Sequence, residues 1–139
     1  MKHPLTKIYL DLKDGRYIVQ PLTDGPVGVT KFGEPTVVCP EAFSSSIADA
    51  VIENLEKFGR DKYDVGRAMR LSQTEYSRFL KGHLGVSVLK LESGNLTIRP
   101  LHRQRDGMIG FDKDSLVLSK SDLPHKLPNA IAEAFKRAT

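Results

Sequence analysis

The sequence predicts a single α+β domain over residues 1–139, with a mostly antiparallel sheet and three or four helices covering one side of it. Three observations carry this. Residues 7–22 and 86–99 alternate like half-buried strands about a glycine turn. Residues 44–58 and 129–137 repeat apolar residues at helical spacing. A chain of 139 residues is one domain in length and can bury a core of its own.

In chain order, Ile8-Tyr9-Leu10 and Tyr17-Ile18-Val19 are strand formers on either side of Asp14-Gly15, a hairpin turn signal. Pro21 is expected to end the second strand, because it has no N–H to donate to a ladder. Residues 23–35, with Gly25, Pro26, Gly28, Gly33 and Pro35, read as a loop with a short strand near Val27–Val29. Thr36–Cys39 follows as another short strand. From Ser44 to Phe58 a helix is expected, with Ile47, Val51, Ile52, Leu55 and Phe58 on one face. A hydroxyl of Ser44, Ser45 or Ser46 is placed to cap it, and Gly59 to end it. Residues 59–71 are charged, with Val65, Ala68 and Met69 suggesting a short helix. Ser72-Gln73-Thr74-Glu75 has the form of a capping box with a Leu71–Tyr76 staple, for a helix running to about Lys81 before Gly82.

The second hairpin sets Val86, Val88 and Leu91 against polar Ser87 and Lys90, and Leu96 and Ile98 against Thr97, around Ser93-Gly94-Asn95. Glycine there reaches positive φ without a Cβ clash. Leu101–Gly110 reads as a charged loop, Leu116–Leu118 as a strand, and Asn129–Arg137 as the last helix. Ile131, Ala134 and Phe135 face inward on that helix, and Pro128 sits at its start, where a missing N–H is harmless. The sequence shows no internal repeat.

Composition narrows the class. No run of about 18 apolar residues is present, so no transmembrane helix is expected. Met1-Lys2-His3-Pro4 lacks the apolar core of a signal peptide, and a cytoplasmic protein is expected. The single cysteine, Cys39, excludes an internal disulfide, and beside Val37 and Val38 it reads as a buried thiol. The net charge of +4 permits a nucleic-acid or acidic protein partner but argues against a simple mimic of nucleic acid.

The hairpin ending in Ile98-Arg99-Pro100, the His-bearing basic loop at His102, Gly107, the strand at Leu116–Leu118 and the terminal helix resemble the contact-dependent growth inhibition immunity proteins of bacteria. The approach to a helix from Pro40 to Ser44 and the helix at 72–81 fit the same pattern, which spans roughly residues 36–138. The resemblance implies a non-enzymatic protein without cofactor. It would bind and neutralise the toxic C-terminal domain, often a nuclease, of a surface-delivered effector. On that reading the toxin contacts are expected at His102, Arg103, Arg105 and Asp106, with Asp112 and Asp114 beside them. Arginine is enriched at interfaces because its planar fork pairs with carboxylates while its stem packs.

Other readings stay open. Asp64–Ser72 followed by Tyr76-Ser77-Arg78 resembles the helix-turn-helix of bacterial repressors. Arg67, Arg70, Arg78 and Lys81 would then meet phosphates, and Gln73 and Thr74 base edges. The plainer account is two helices packed on the sheet. His102 with Arg103 and Arg105 would suit an RNA-cleaving site if a second acid–base group stood alongside. Asp112 and Asp114 are two carboxylates where a cation site needs more. The four histidines show no zinc-ligand spacing. Neither Gly25–Gly28 nor Gly107–Gly110 is a phosphate-binding loop, and no nucleophile elbow occurs.

Overall fold

The computed structural model describes residues 3–25, 28–31, 34–59, 73–105 and 107–139. The described strands are β1 (Leu5–Asp11), β2 (Tyr17–Gly25), β3 (Gly28–Lys31), β4 (Thr36–Val38), β5 (His83–Lys90), β6 (Leu96–Gln104), β7 (Gly107–Gly110) and β8 (Leu116–Leu118). The described helices are α1 (Phe43–Lys57), α2 (Gln73–Gly82) and α3 (Leu127–Arg137). The strands form one antiparallel sheet in the order β3-β2-β1-β5-β6-β7, with β4 also paired to β2 and β8 to β6. The α+β class and the antiparallel sheet are as the sequence predicts.

One face of the sheet carries the main core. Ile8, Val19, Val86, Val88 and Ile98 point to it. Ile47, Val51 and Leu55 of α1 and Leu127, Ile131 and Phe135 of α3 close over them. Each such aliphatic side chain, wholly removed from water, contributes about 1.5–3 kcal/mol. The turn glycines of both hairpins stand at positive φ, Gly15 at 77° and Gly94 at 90°.

α2 lies on the opposite face. Tyr9 is out of phase with Ile8, and its ring meets Phe79 of α2 edge-on at 4.9 Å. The helices therefore divide between the two faces instead of sharing one. Gly85 makes room for this: it pairs with Tyr9 in the ladder, and a Cβ there would sit 2.6 Å from Met108 Sδ and 3.1 Å from Leu101 Cδ1. Gly85→Val should cost about 1–3 kcal/mol of stability through overpacking, measurable by urea denaturation.

Several local expectations change. β2 does not end at Pro21 but continues to Gly25, so residues 23–25 and 28–31 are a third hairpin and not a loop. β6 does not end near Pro100 but runs to Gln104, and the expected charged loop becomes the β6–β7 hairpin. Both prolines are tolerated for one reason. β2 pairs with β4 at Tyr17–Val19 and with β3 from Leu22 onward. β6 pairs with β8 at Leu96–Ile98 and with β7 from Leu101 onward. Each proline falls where the outer partner changes, so no ladder bond is demanded of the missing N–H.

α1 begins at Phe43, after a 3-10 turn at Pro40–Ala42, and no serine caps it. Ser45 Oγ instead donates back to the Ala42 carbonyl at 3.2 Å. Cys39 is exposed, because Val38 points inward and strand alternation turns its neighbours out. The expected short helix at 59–71 and the Ser72 capping box lie outside the described residues, save Gly59, which stands at φ 72° after α1.

Candidate functional site

The β6–β7 hairpin projects beyond the end of β5. Past Pro100, the place of β5 beside β6 is taken by Thr139, whose N–H donates to the Leu101 carbonyl at 3.2 Å and whose carbonyl accepts from Arg103 N–H at 2.8 Å. On the other side β7 pairs with Leu101–Gln104 and forms the edge of the sheet. Side chains alternate along β6, so His102 falls on the face of α1 and α3 and Arg103 on the face of α2.

His102 is clamped. Its Nε2 lies 2.9 Å from Asp114 Oδ2 and its Nδ1 2.8 Å from Thr139 Oγ1. Both ring nitrogens are thus engaged, and the imidazole ties β6 to the turn before β8 and to the residues after α3. His83, at the near end of β5, is not its partner: its Nδ1 lies 2.8 Å from the Phe79 carbonyl and its ring stacks on Phe79.

Arg103 closes the C-terminal end of α2. Its Nη1 donates to the Leu80 carbonyl at 3.3 Å and to the Lys81 carbonyl at 3.1 Å. These are end-of-helix acceptors with no partner inside the helix, at the negative pole of its dipole. Arg103→Met should cost about 1–2 kcal/mol and raise hydrogen exchange in α2 before any other element. A cleft of ≈ 270 Å³ opens beside this contact, lined by Ser77, Leu80, Lys81, Arg103, Gln104 and Arg105.

The opposite face of the hairpin is apolar at its centre. Ile109, paired with His102, is 48% exposed, and Phe111, two residues on, is 42% exposed with its ring 5.6 Å from the imidazole. The Lys113 ammonium stands over the Phe111 ring at 5.7 Å. These two apolar residues were not singled out in the sequence, because Met108-Ile109 between glycines reads as part of a loop until its pairing with β6 is known.

The six expected contact residues separate by role. Asp112 pairs with Arg99, which also donates through Nε to Ser115 Oγ at 3.2 Å. Asp114 pairs with His102. Asp106 lies outside the described residues. Arg105 is exposed at the tip of the hairpin. Among the described residues of this region, the carboxylates are therefore committed internally. No described carboxylate pairs with Lys81, Arg103, Arg105 or Lys113; Lys113 stands beside the exposed Phe111, while Arg103 lies on the other face, against α2.

Of the alternative DNA-reading segment, residues 64–72 lie outside the described residues. α2 itself buries Leu80 and turns Arg78 and Lys81 to solvent. Burial, then the neighbouring Tyr76, keeps the Tyr9 hydroxyl well above the usual tyrosine range, so it stays protonated beneath this helix. No described helix is long and apolar enough to cross a membrane.

No family model and no curated protein matches this sequence. The fold is similar to a solved structure from Neisseria meningitidis described as a protein of unknown function. The TM-score is 0.73 at 12% sequence identity, over 99% of this chain and 96% of that one. At that identity the likeness concerns the fold alone.

Proposed function

We propose that this protein is an immunity protein. It binds the toxic C-terminal domain of a contact-dependent growth inhibition effector, and the β6–β7 hairpin is the part that docks. The observation that carries the reading is the pairing at the hairpin of an exposed apolar couple, Ile109 and Phe111, with cations that no described carboxylate neutralises, Arg105 and Lys113 among them. An aromatic and an aliphatic anchor ringed by charge is the composition of an interface centre with its rim. The clamp on His102 and the cap on α2 hold the hairpin in one shape before binding, which lowers the ordering cost of association.

The sign of the charge selects the partner. A toxin surface rich in carboxylates attracts this hairpin, and a basic surface is repelled by it. Nucleases that work through metal ions gather acidic groups in the active site. A cationic hairpin entering such a cleft would occupy the place of metal and substrate together. The protein acts on this reading as a stoichiometric inhibitor in the cytoplasm and performs no chemistry.

The test is growth rescue. The C-terminal domain of any large secreted protein found encoded immediately upstream is expressed in cells with and without this chain. Survival only in its presence supports the reading. Equal death in both removes it, and DNA binding through residues 64–81, with affinity falling steeply as salt rises, becomes the next assay.

A further inference from the structure

We propose that the cavity between α1 and the β5–β6 turn binds a small zwitterion with a large apolar body. The cavity measures ≈ 480 Å³, and Ile52, Leu55, Leu96 and Leu123 line its apolar part. That volume lies in the range of small-molecule pockets. Ile52, Leu55 and Glu56 share one side of α1, at spacings of three and four residues. Facing them are the turn between β5 and β6 and Leu123, which follows the 3-10 turn Lys120–Asp122.

The floor is the main core itself. Leu55 and Leu96 are buried members of it. Ile52 and Leu123 pack against the core but stay half-buried. The periodicity of α1 puts Ile52 on its apolar face, and the cavity leaves that side chain partly uncovered. Apolar side chains left partly wet in a concave site are stabilised when an apolar body displaces the water.

The rim selects the rest of the ligand. Lys90, Lys120, Glu56 and Glu92 line it, and all four are exposed. Lys90 pairs with Leu96 and, two residues past Val88, projects from the core face of β5. Lys120 is rooted at the mouth. Its N–H donates to Asn95 Oδ1 at 3.0 Å, and its stem lies so close over Gly94 that a Cβ there would come within 2.8 Å of Lys120 Cδ. The turn that carries Glu92 is closed by Gly94 N–H to the Leu91 carbonyl and by Leu91 N–H to the Asn95 carbonyl, both at 2.9 Å. An ion of one sign is attracted by one pair of these charges and repelled by the other. A zwitterion meets both, with its carboxylate toward Lys90 and Lys120 and its ammonium toward Glu56 and Glu92. A free apolar amino acid and a short apolar peptide share this chemistry.

This inference is independent of toxin binding and is tested without a toxin. The full chain, labelled at its Ile and Leu methyl groups, is titrated with the dipeptide leucyl-phenylalanine, with its N-acetyl and C-terminal amide derivatives, and with free phenylalanine. Saturable shifts of the Ile52, Leu55, Leu96 and Leu123 methyls are expected with the dipeptide. Acetylation removes the ammonium and amidation the carboxylate, and each should weaken binding about tenfold or more, the loss of a hydrogen bond to a charged group. Free phenylalanine binding as tightly as the dipeptide assigns the site to an amino acid, and weaker binding assigns it to a peptide. The double variant Lys90→Gln, Lys120→Gln should weaken the dipeptide as amidation does, and Glu56→Gln, Glu92→Gln as acetylation does. All four side chains are exposed, so both variants should fold, and retained methyl dispersion verifies this. Shifts that do not saturate, shifts that spare these four methyls, or equal affinity for the dipeptide and both derivatives would overturn the assignment.

Discussion

Replacing Ile109 and Phe111 together by serine is expected to weaken binding of the cognate toxin domain by at least about thirtyfold, the threshold of a hot-spot truncation. The change should leave thermal stability nearly untouched, because both side chains are close to half exposed in the free protein. The effect should lie mainly in the dissociation rate, since local packing sets the lifetime of a complex while long-range charge sets its formation. Val117, 64% exposed on β8, is the control. It pairs with Thr97 and points to the other face of the sheet, so Val117→Ser should not alter affinity. Titration of the three proteins by calorimetry checks both statements. Equal weakening by Val117→Ser would move the docking surface away from the hairpin.

The largest effect on stability is expected at Ile131. This residue is 0% exposed and sits where α3 crosses the core face of the sheet. Its truncation to alanine removes three buried carbons and leaves a cavity that the surrounding Val, Ile and Leu side chains fill only in part. A loss of about 2–5 kcal/mol is expected, read as a lower denaturant midpoint with an unchanged slope. The consequence reaches the hairpin. The chain leaving α3 supplies Thr139, which bonds the backbone of Leu101 and Arg103 and the ring of His102. Loosening α3 should therefore raise hydrogen exchange at the Arg103 and Thr139 amides more than in the β1–β2 hairpin.

Periodicity made the core face legible before the structure. Ile47, Val51 and Leu55 on one helix, Ile131, Ala134 and Phe135 on the other, and Val86, Val88, Leu96 and Ile98 of the second hairpin are buried where their spacing puts them, while Ile52, Phe58 and Leu91 are half-buried. Two features escaped for physical reasons. Proline was read as a stop, yet Pro21 and Pro100 lie inside strands, because a strand that changes partners leaves one position where no donor is needed. Asn54 falls on the buried stripe of α1, where a polar residue looks misplaced. It is fully buried, with Nδ2 donating to the Ala50 carbonyl at 2.7 Å and to Thr36 Oγ1 at 3.2 Å, and it fastens α1 to β4. Such a bond across 18 residues leaves no trace in local spacing.

The position of the charged segment was legible, but the internal partners of its residues were not. The charged segment after Pro100 does project from the fold, and Arg105 stands exposed at its tip. Asp112 and Asp114, expected beside the toxin contacts, face Arg99 and His102. Arg103 serves the end of α2. These assignments depend on which strand lies beside which, and that is a property of the sheet, not of any window of sequence. With Asp112 and Asp114 paired inside the fold, Arg105 and Lys113 are cations of this region that no described carboxylate meets.

The most direct test of the central claim is a calorimetric titration of the C-terminal domain of any large secreted protein found encoded upstream with the wild-type chain and with the double variant Arg105→Glu, Lys113→Glu. One-to-one binding at nanomolar affinity, roughly −12 kcal/mol, is predicted for the wild type. The double variant should bind at least about a hundredfold more weakly, because two attractions become two repulsions at the rim. Wild-type binding that the reversal leaves unchanged or strengthens would contradict the account, since a cationic hairpin would then not be what the toxin meets.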